Sequence, residues 1–304
     1  MSRISRRHFL AGLGAAAGTV TFSGRFASAA RPASTVSIPE IKSGSDRVML
    51  GGTGIQTSVL GIGTGTRGGR EQHDLGQATF TKLVRHALDH GITYIDTADA
   101  YQTRDMIRPA LKGVARDQYF VQTKTRAKTA EAAKADVDRL RRQLGIDEFD
   151  TLLMHAMGQG SWPVDMRPVM DVLYDAKEKG RIKAVGVSCH GFDPLVASAS
   201  NDWIDVHLVR INPFEMKMDG TPDQVSAEIK KMHAAGHGVL GMKIFGETGY
   251  DSPEKRLQAL RYVLGLGCVH AFTIGFTSTA QLDETLGMIE QAAQLNRAER
   301  GESG

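Results

Sequence analysis

Cysteine is scarce in this 304-residue chain: there are two, Cys189 and Cys268. Two cysteines far apart in sequence cannot make a stapled framework, so the fold must rest on its core. Both lie in apolar or strand-like surroundings and read as buried thiols. No CxxC or HExxH occurs, and no metal site is expected. No apolar run approaches the roughly 20 residues that a permanent membrane helix needs. Acidic residues are absent from the first 30 positions, which carry Arg3, Arg6, Arg7 and Arg25. Without those four arginines the formal charge of +3 becomes −1, so the basic character belongs to the leader. A clustered basic field of the kind nucleic acid requires is missing from the remainder.

What is present begins with Ser5-Arg6-Arg7-His8-Phe9-Leu10, an uncharged stretch from Ala11 to Phe22, and small residues around Ala27-Ser28-Ala29. A basic start, a short apolar run and an Ala-x-Ala site read as an export signal over residues 1–30. The arginine pair resembles the twin-arginine signal, which implies passage through that export machinery after folding in the cytoplasm, and a periplasmic or exported destination. Residues 31–46, rich in Pro, Ser and Gly, read as a flexible linker. About 270 residues would remain, ample for one deep-cored domain.

Arg47–Leu50 and Ile55–Leu60 flank Gly51-Gly52-Thr53-Gly54 and predict a β-hairpin. A regular alternation follows. Strand-like runs occupy Leu60–Gly63, Thr93–Asp96, Tyr119–Thr123, Thr151–His155, Ile182–Val187, Val206–Ile211, Gly238–Lys243 and Ala271–Ile274. Helical patterns fall at 75–90, 104–117, 130–144, 166–180, 193–200, 222–236, 254–266 and 280–294. Gly91, Gly145 and Gly180 sit where helices must end in a left-handed residue, which glycine enters without a Cβ clash. Thr221-Pro222 and Ser252-Pro253 place a capping side chain before a first-turn proline. Eight strand–helix repeats predict a TIM (β/α)8 barrel with an N-terminal β-hairpin, spanning residues 47–296 and leaving a short tail at 297–304. A doubly wound sheet is the alternative, but Gly61-x-Gly63-x-Gly65 is a partial match whose following strand does not offer its acidic residue in the expected setting.

In a barrel, polar residues at the C-terminal ends of strands converge on one mouth. Asp96, Lys124 and His155 hold such positions, and Tyr101 lies five residues beyond Asp96. A phenol with a pKa of about 10 is a sluggish proton donor, and a nearby ammonium held by a carboxylate favours its phenolate. Such a phenol could protonate a carbonyl oxygen that a neighbouring histidine orients. None of the four supplies a hydride, so a reduction would require a nicotinamide or another donor.

Gly91-Ile92-Thr93-Tyr94-Ile95-Asp96-Thr97-Ala98-Asp99-Ala100-Tyr101 resembles a signature of the aldo-keto reductase family, and Lys124 and His155 match the rest of its catalytic tetrad. The resemblance covers about residues 46–295. It implies an NAD(P)H-dependent oxidoreductase that reduces aldehydes or ketones to alcohols, with Tyr101 as general acid, Asp96 and Lys124 tuning it, and His155 positioning the carbonyl. It further implies cofactor contacts from Ser188 and Cys189 at the nicotinamide, with Cys189 where asparagine is usual. Met242 stands in place of a stacking aromatic, with Lys243 beside it. Gly275, Ser278, Thr279 and Gln281 fall in the phosphate-binding segment. The implied cofactor is NADP, with NAD as the alternative because that segment lacks lysine and arginine. Trp162 is a candidate substrate wall. A sensor or interaction protein that binds NAD(P) on the same barrel is the alternative function.

Overall fold

The computed structural model describes residues 37–247 and 252–301. The expected export signal lies outside them. A closed barrel of eight parallel strands runs in the order β10-β3-β4-β5-β6-β7-β8-β9. Its strands are β3 (Leu60–Gly63), β4 (Tyr94–Asp96), β5 (Phe120–Thr125), β6 (Phe149–Met157), β7 (Ile182–Cys189), β8 (Val206–Arg210), β9 (Gly238–Met242) and β10 (Ala271–Ile274). Closure is direct, Phe272 of β10 standing opposite Leu60 of β3. Ahead of the barrel, β1 (Arg47–Met49) and β2 (Gln56–Ser58) form the expected antiparallel hairpin.

The helices are α1 (Arg70–His73), α2 (Gly76–Asp89), α3 (Ile107–Ala110), α4 (Ala130–Leu144), α5 (Trp162–Asp165), α6 (Arg167–Glu178), α7 (Phe192–Ala199), α8 (Pro222–Ala234), α9 (Pro253–Gly265) and α10 (Thr279–Glu299). The stripe Leu83, Val84 and Ala87 of α2 is buried against the barrel, as are Val169 and Leu173 of α6. Gly91, Gly145 and Gly180 have φ of 77°, 71° and 66°, the left-handed geometry expected after a helix. Thr221 closes a reciprocal capping box with Gln224 at the start of α8. The helix expected over 104–117 is replaced by a 3-10 turn (Gln102–Met106) and the single turn of α3. Pro109 and Gly113, at φ 84°, stop a longer helix there.

The hairpin stoppers the N-terminal end of the barrel. Leu50 and Val48 are buried, the Gly52 N–H donates to Gly236 O (2.8 Å), and Arg47 reaches Thr93 Oγ1 (2.6 Å). A Cβ at Gly51 would meet the Gly236 carbonyl and the main chain entering β9, and its φ is 52°. The end of the segment expected as linker is docked: the Leu60 N–H donates to Gly44 O, and Gly44 packs against Leu286 and Ile289 of α10.

Candidate active site

Strand alternation builds the site. Tyr94 and Asp96 on β4, Gln122 and Lys124 on β5, and Thr151 on β6 join in a buried ladder that rises toward the barrel mouth. The Thr151 hydroxyl donates to Gln122 Oε1 (3.1 Å), and Gln122 Nε2 donates to Tyr94 Oη and Asp96 Oδ1 (2.8 Å each). Tyr94 fits because Gly61 has no Cβ; one there would strike the Tyr94 ring. At the top, the Lys124 ammonium donates to Asp96 Oδ1 (2.6 Å), Thr97 O (3.0 Å) and Tyr101 Oη (3.3 Å). Those three bonds use all three ammonium protons. Tyr101 Oη is therefore an acceptor from Lys124, which leaves its own O–H to point elsewhere. The His155 ring meets the Tyr101 ring edge-on, centroids 5.7 Å apart.

Burial raises the Tyr101 pKa, and the Lys124 ammonium offsets this only in part. The net direction is opposite to the phenolate-favouring influence expected from the lysine alone, because desolvation outweighs it. Burial alone would lower Lys124, yet Asp96 and Tyr101 outweigh it and hold the lysine above its usual range. Burial, with Lys124, Arg126 and His190 nearby, pushes His155 down to about 2. The arrangement at neutral pH is therefore a protonated phenol, an ammonium and a neutral imidazole. His155 Nδ1 is buried without a hydrogen-bond partner among the described residues.

These groups open onto a cleft of about 270 Å³. Asp96, Tyr101, Lys124 and His155 all line it, as do Ser188, Met242, Lys243 and Gly275 from the expected cofactor set. Cys189 does not. The strand β7 continues two residues beyond the expected Val187, so alternation turns Ser188 inward and Cys189 outward. The buried Cys189 thiol lies 3.3 Å from Pro194 O of α7, and burial pushes it up to about 12. Ser188 Oγ accepts the Ala156 N–H (2.9 Å). Leu208 of β8 is buried in the barrel wall. Trp162 is buried too, donating its indole N–H to Pro194 O (3.2 Å), so it packs a loop against the rim and forms no substrate wall. Asn212 and Arg210 serve the scaffold: Asn212 holds Met216 O and Lys243 O, and Arg210 pairs with Asp219.

A second hollow of about 220 Å³ adjoins the cleft at Gly275 and Glu247 and is also lined by Gln281. Ser278 caps α10 by accepting the Gln281 N–H (3.2 Å), and Gln281 Oε1 accepts from the Thr277 N–H (2.8 Å). Thr279 opens the helix behind that cap, and neither it nor Ser278 is part of either lining. Arg256, Glu71 and Thr277 line the hollow, and Arg126 and His190 line the cleft. Among them the sequence singles out His190, as a candidate to make up for Cys189; Arg126 directly follows β5, and Glu71 and Arg256 come in from α1 and α9.

Residues 59–256 match the model of the aldo/keto reductase family. The chain belongs to the aldo/keto reductase family. It is 34 % identical over 160 residues to aldo-keto reductase YhdN of Bacillus subtilis, covering 45 % of this chain and 44 % of that protein. It is 29 % identical over 154 residues to the glycerol 2-dehydrogenase (NADP(+)) of Saccharomyces cerevisiae, covering 49 % of this chain and 45 % of the relative. The matched stretch thus spans less than half the length of these curated relatives. An aldo-keto reductase of Bacillus halodurans, solved in its holo form, superposes with a TM-score of 0.67 over 83 % of this chain and 96 % of that one. Its 18 % identity shows a shared barrel and no more.

The two hollows suit an extended dinucleotide. Gly63, Gly65 and Gly275 present bare backbone to the cleft, and a Cβ at Gly275 would collide with Thr66 Oγ1. Met242 offers a thioether that can lie against a flat ring. Ser188 and the unpartnered His155 nitrogen stand beside it.

Proposed function

We propose that this aldo/keto reductase is an NAD(P)H-dependent enzyme reducing an aldehyde or ketone to its alcohol. One observation carries the reading: every Lys124 ammonium proton is committed, so the proton of Tyr101 faces the cleft that His155 shares. A nicotinamide bound against Met242 and Ser188 would supply a hydride to the carbonyl carbon. Tyr101 gives its proton to the carbonyl oxygen, its O–H bond breaking as the alcohol O–H forms. The phenolate left behind is stabilised by Lys124, which Asp96 anchors. A neutral His155 can orient the substrate oxygen through a ring N–H without adding charge.

NADP is the proposed cofactor. Arg256 supplies beside the second hollow the cation that residues 274–284 lack, although Glu71 and Glu247 line it too. One relative, the glycerol 2-dehydrogenase (NADP(+)), is named for a small polar alcohol and for NADP(+) and supports this choice of class. Titration of the purified chain with NADPH and NADH, read by nicotinamide fluorescence, followed by turnover on a carbonyl panel, tests it. Tyr101→Phe is expected to keep NADPH affinity and to cut hydride transfer by at least 100-fold, roughly the scale of lost general-acid catalysis. Binding without turnover on any carbonyl would favour the sensor; binding of neither nucleotide would end both readings.

The arginine pair and Ala-x-Ala site further support export after folding, with cofactor loaded beforehand. Replacing Arg6 and Arg7 by lysine should retain the protein in the cytoplasmic fraction. An unchanged distribution would refute export by this route.

A further inference from the structure

On the outer face of the barrel, away from the cleft, three metal-ligating side chains meet between the first long helix and the last. His86 and His90 stand four residues apart at the end of α2, a spacing that puts both on one helical face. Asp283, 197 residues from His86, reaches them from α10. His86 Nε2 lies 2.6 Å from Asp283 Oδ1, and His90 Nε2 lies 4.0 Å from the same oxygen. The two rings are 4.3 Å apart, and one nitrogen from each and one carboxylate oxygen all lie within 4.8 Å of one another.

A hydrogen bond elsewhere on the ring fixes what His90 presents. Its Nδ1 lies 2.8 Å from the His86 carbonyl oxygen, so Nδ1 carries a proton and donates. Nε2 is the nitrogen left facing Asp283. Donation from the second ring nitrogen to a backbone carbonyl is the usual support of a metal-bound histidine. A simple ion pair with Asp283 needs one imidazole, and here a second is turned to the same oxygen. Ligand atoms around a tetrahedral zinc stand about 3.3 Å apart, given bonds of roughly 2.0–2.1 Å. The His90 distance must close slightly and the His86 distance open slightly. All three side chains are at least partly exposed and can make that adjustment.

We infer that His86, His90 and Asp283 form a surface site for a divalent transition ion of zinc type, two imidazoles and one carboxylate with water completing the shell. Such an ion clasps α2 to α10, the helices that flank the closure of the barrel, on the side of α10 opposite to Gln281 and Thr285 of the second hollow. Imidazole donors favour zinc, nickel or copper over magnesium or calcium.

The test uses the whole chain, stripped with chelator and titrated with zinc chloride against a chromophoric competitor. One equivalent is expected, weakened at least tenfold by His90→Gln or Asp283→Asn, and unchanged by His73→Gln, which removes an exposed histidine beside Asp74 on α1. Zinc at a hundredfold over its Kd should raise Tm by roughly 5–10 °C, and His90→Gln should abolish the rise. Cobalt in place of zinc should give visible ligand-field bands that Asp283→Asn removes. Absence of a stoichiometric equivalent, or equal weakening by His73→Gln and His90→Gln, would overturn the site.

Discussion

The proton of Tyr101 depends on a residue that makes no polar contact with it. Gly65 leaves the space the phenol ring occupies, and a Cβ there would overlap the ring carbons and the hydroxyl. Its φ of −110° suits any residue, so Gly65→Ala strains little backbone and acts by displacing the ring. Turnover should fall by about tenfold to 100-fold while the unfolding midpoint moves little, since a misplacement near 1 Å costs rate on that scale. Steady-state kinetics beside a denaturation curve checks both halves; unchanged kcat would mean that Tyr101 acts from elsewhere. Reduction requires the protonated phenol, and burial raises its pKa above 10. The reductive kcat should therefore stay flat through neutral pH and fall only in strong alkali, whereas alcohol oxidation, which needs the phenolate, should rise with pH. His155, held down to about 2, should add no limb between pH 5 and 9. A pH–rate profile with a limb near 6.5 would show that imidazole titrating after all.

Among the elements, β7 shows both the reach and the limit of reading residues in order. The ends of β4, β5 and β6 were legible because a polar residue closing an apolar run has few other uses in a barrel, and Tyr101 followed from its distance to Asp96. Cys189 joins the expected cofactor set only through the family resemblance, and the pleat of β7 that turns Ser188 inward sends Cys189 to the helical layer. The missing helix at 104–117 fails for a local reason, Pro109 and Gly113, visible in the sequence but outweighed there by the expected repeat. His190 was legible as the neighbour of Cys189 and Arg126 was passed over at the end of β5, while Arg256 was illegible because only the folded chain brings α9 to the second hollow. His86 and His90 show their spacing in sequence, but their carboxylate comes from the other end of the chain. Within β7, Gly186 is constrained by the neighbouring strand: a Cβ would press on the Val206 carbonyl of β8 and on Leu153 of β6. Gly186→Ala should cost about 3 kcal/mol in a urea titration, the upper range for overpacking against a main chain that cannot yield. A loss under 0.5 kcal/mol would show that β7 and β8 can separate freely.

At the scale of the whole molecule, histidines buried in neutral form set the response to acid. His207 is buried with Nε2 2.9 Å from His237 Nδ1, and burial holds it well below its usual range. His270 is pushed down to about 4 and His155 to about 2, both mainly by burial. Each pKa is lower in the folded chain, so below about 6.5 the unfolded chain binds the extra protons and folding loses ground as pH falls. The loss from His270 ends near pH 4, while that from His155 continues lower. With up to about 1.4 kcal/mol per pH unit from each such group, moving from pH 6 to 5 should remove roughly 2–4 kcal/mol. Urea midpoints at pH 7.5, 6 and 5 check this; equal midpoints would mean that these rings accept protons without unfolding.

The cork formed by β1 and β2 gives the vessel a single neck. Leu50 and Gly51 fill the far opening, so among the described residues the phenol is shut off from behind. Each proton that replenishes Tyr101 must enter by the same doorway as the carbonyl compound, past Arg126 and His190, and while the doorway is filled the acid can fire only once.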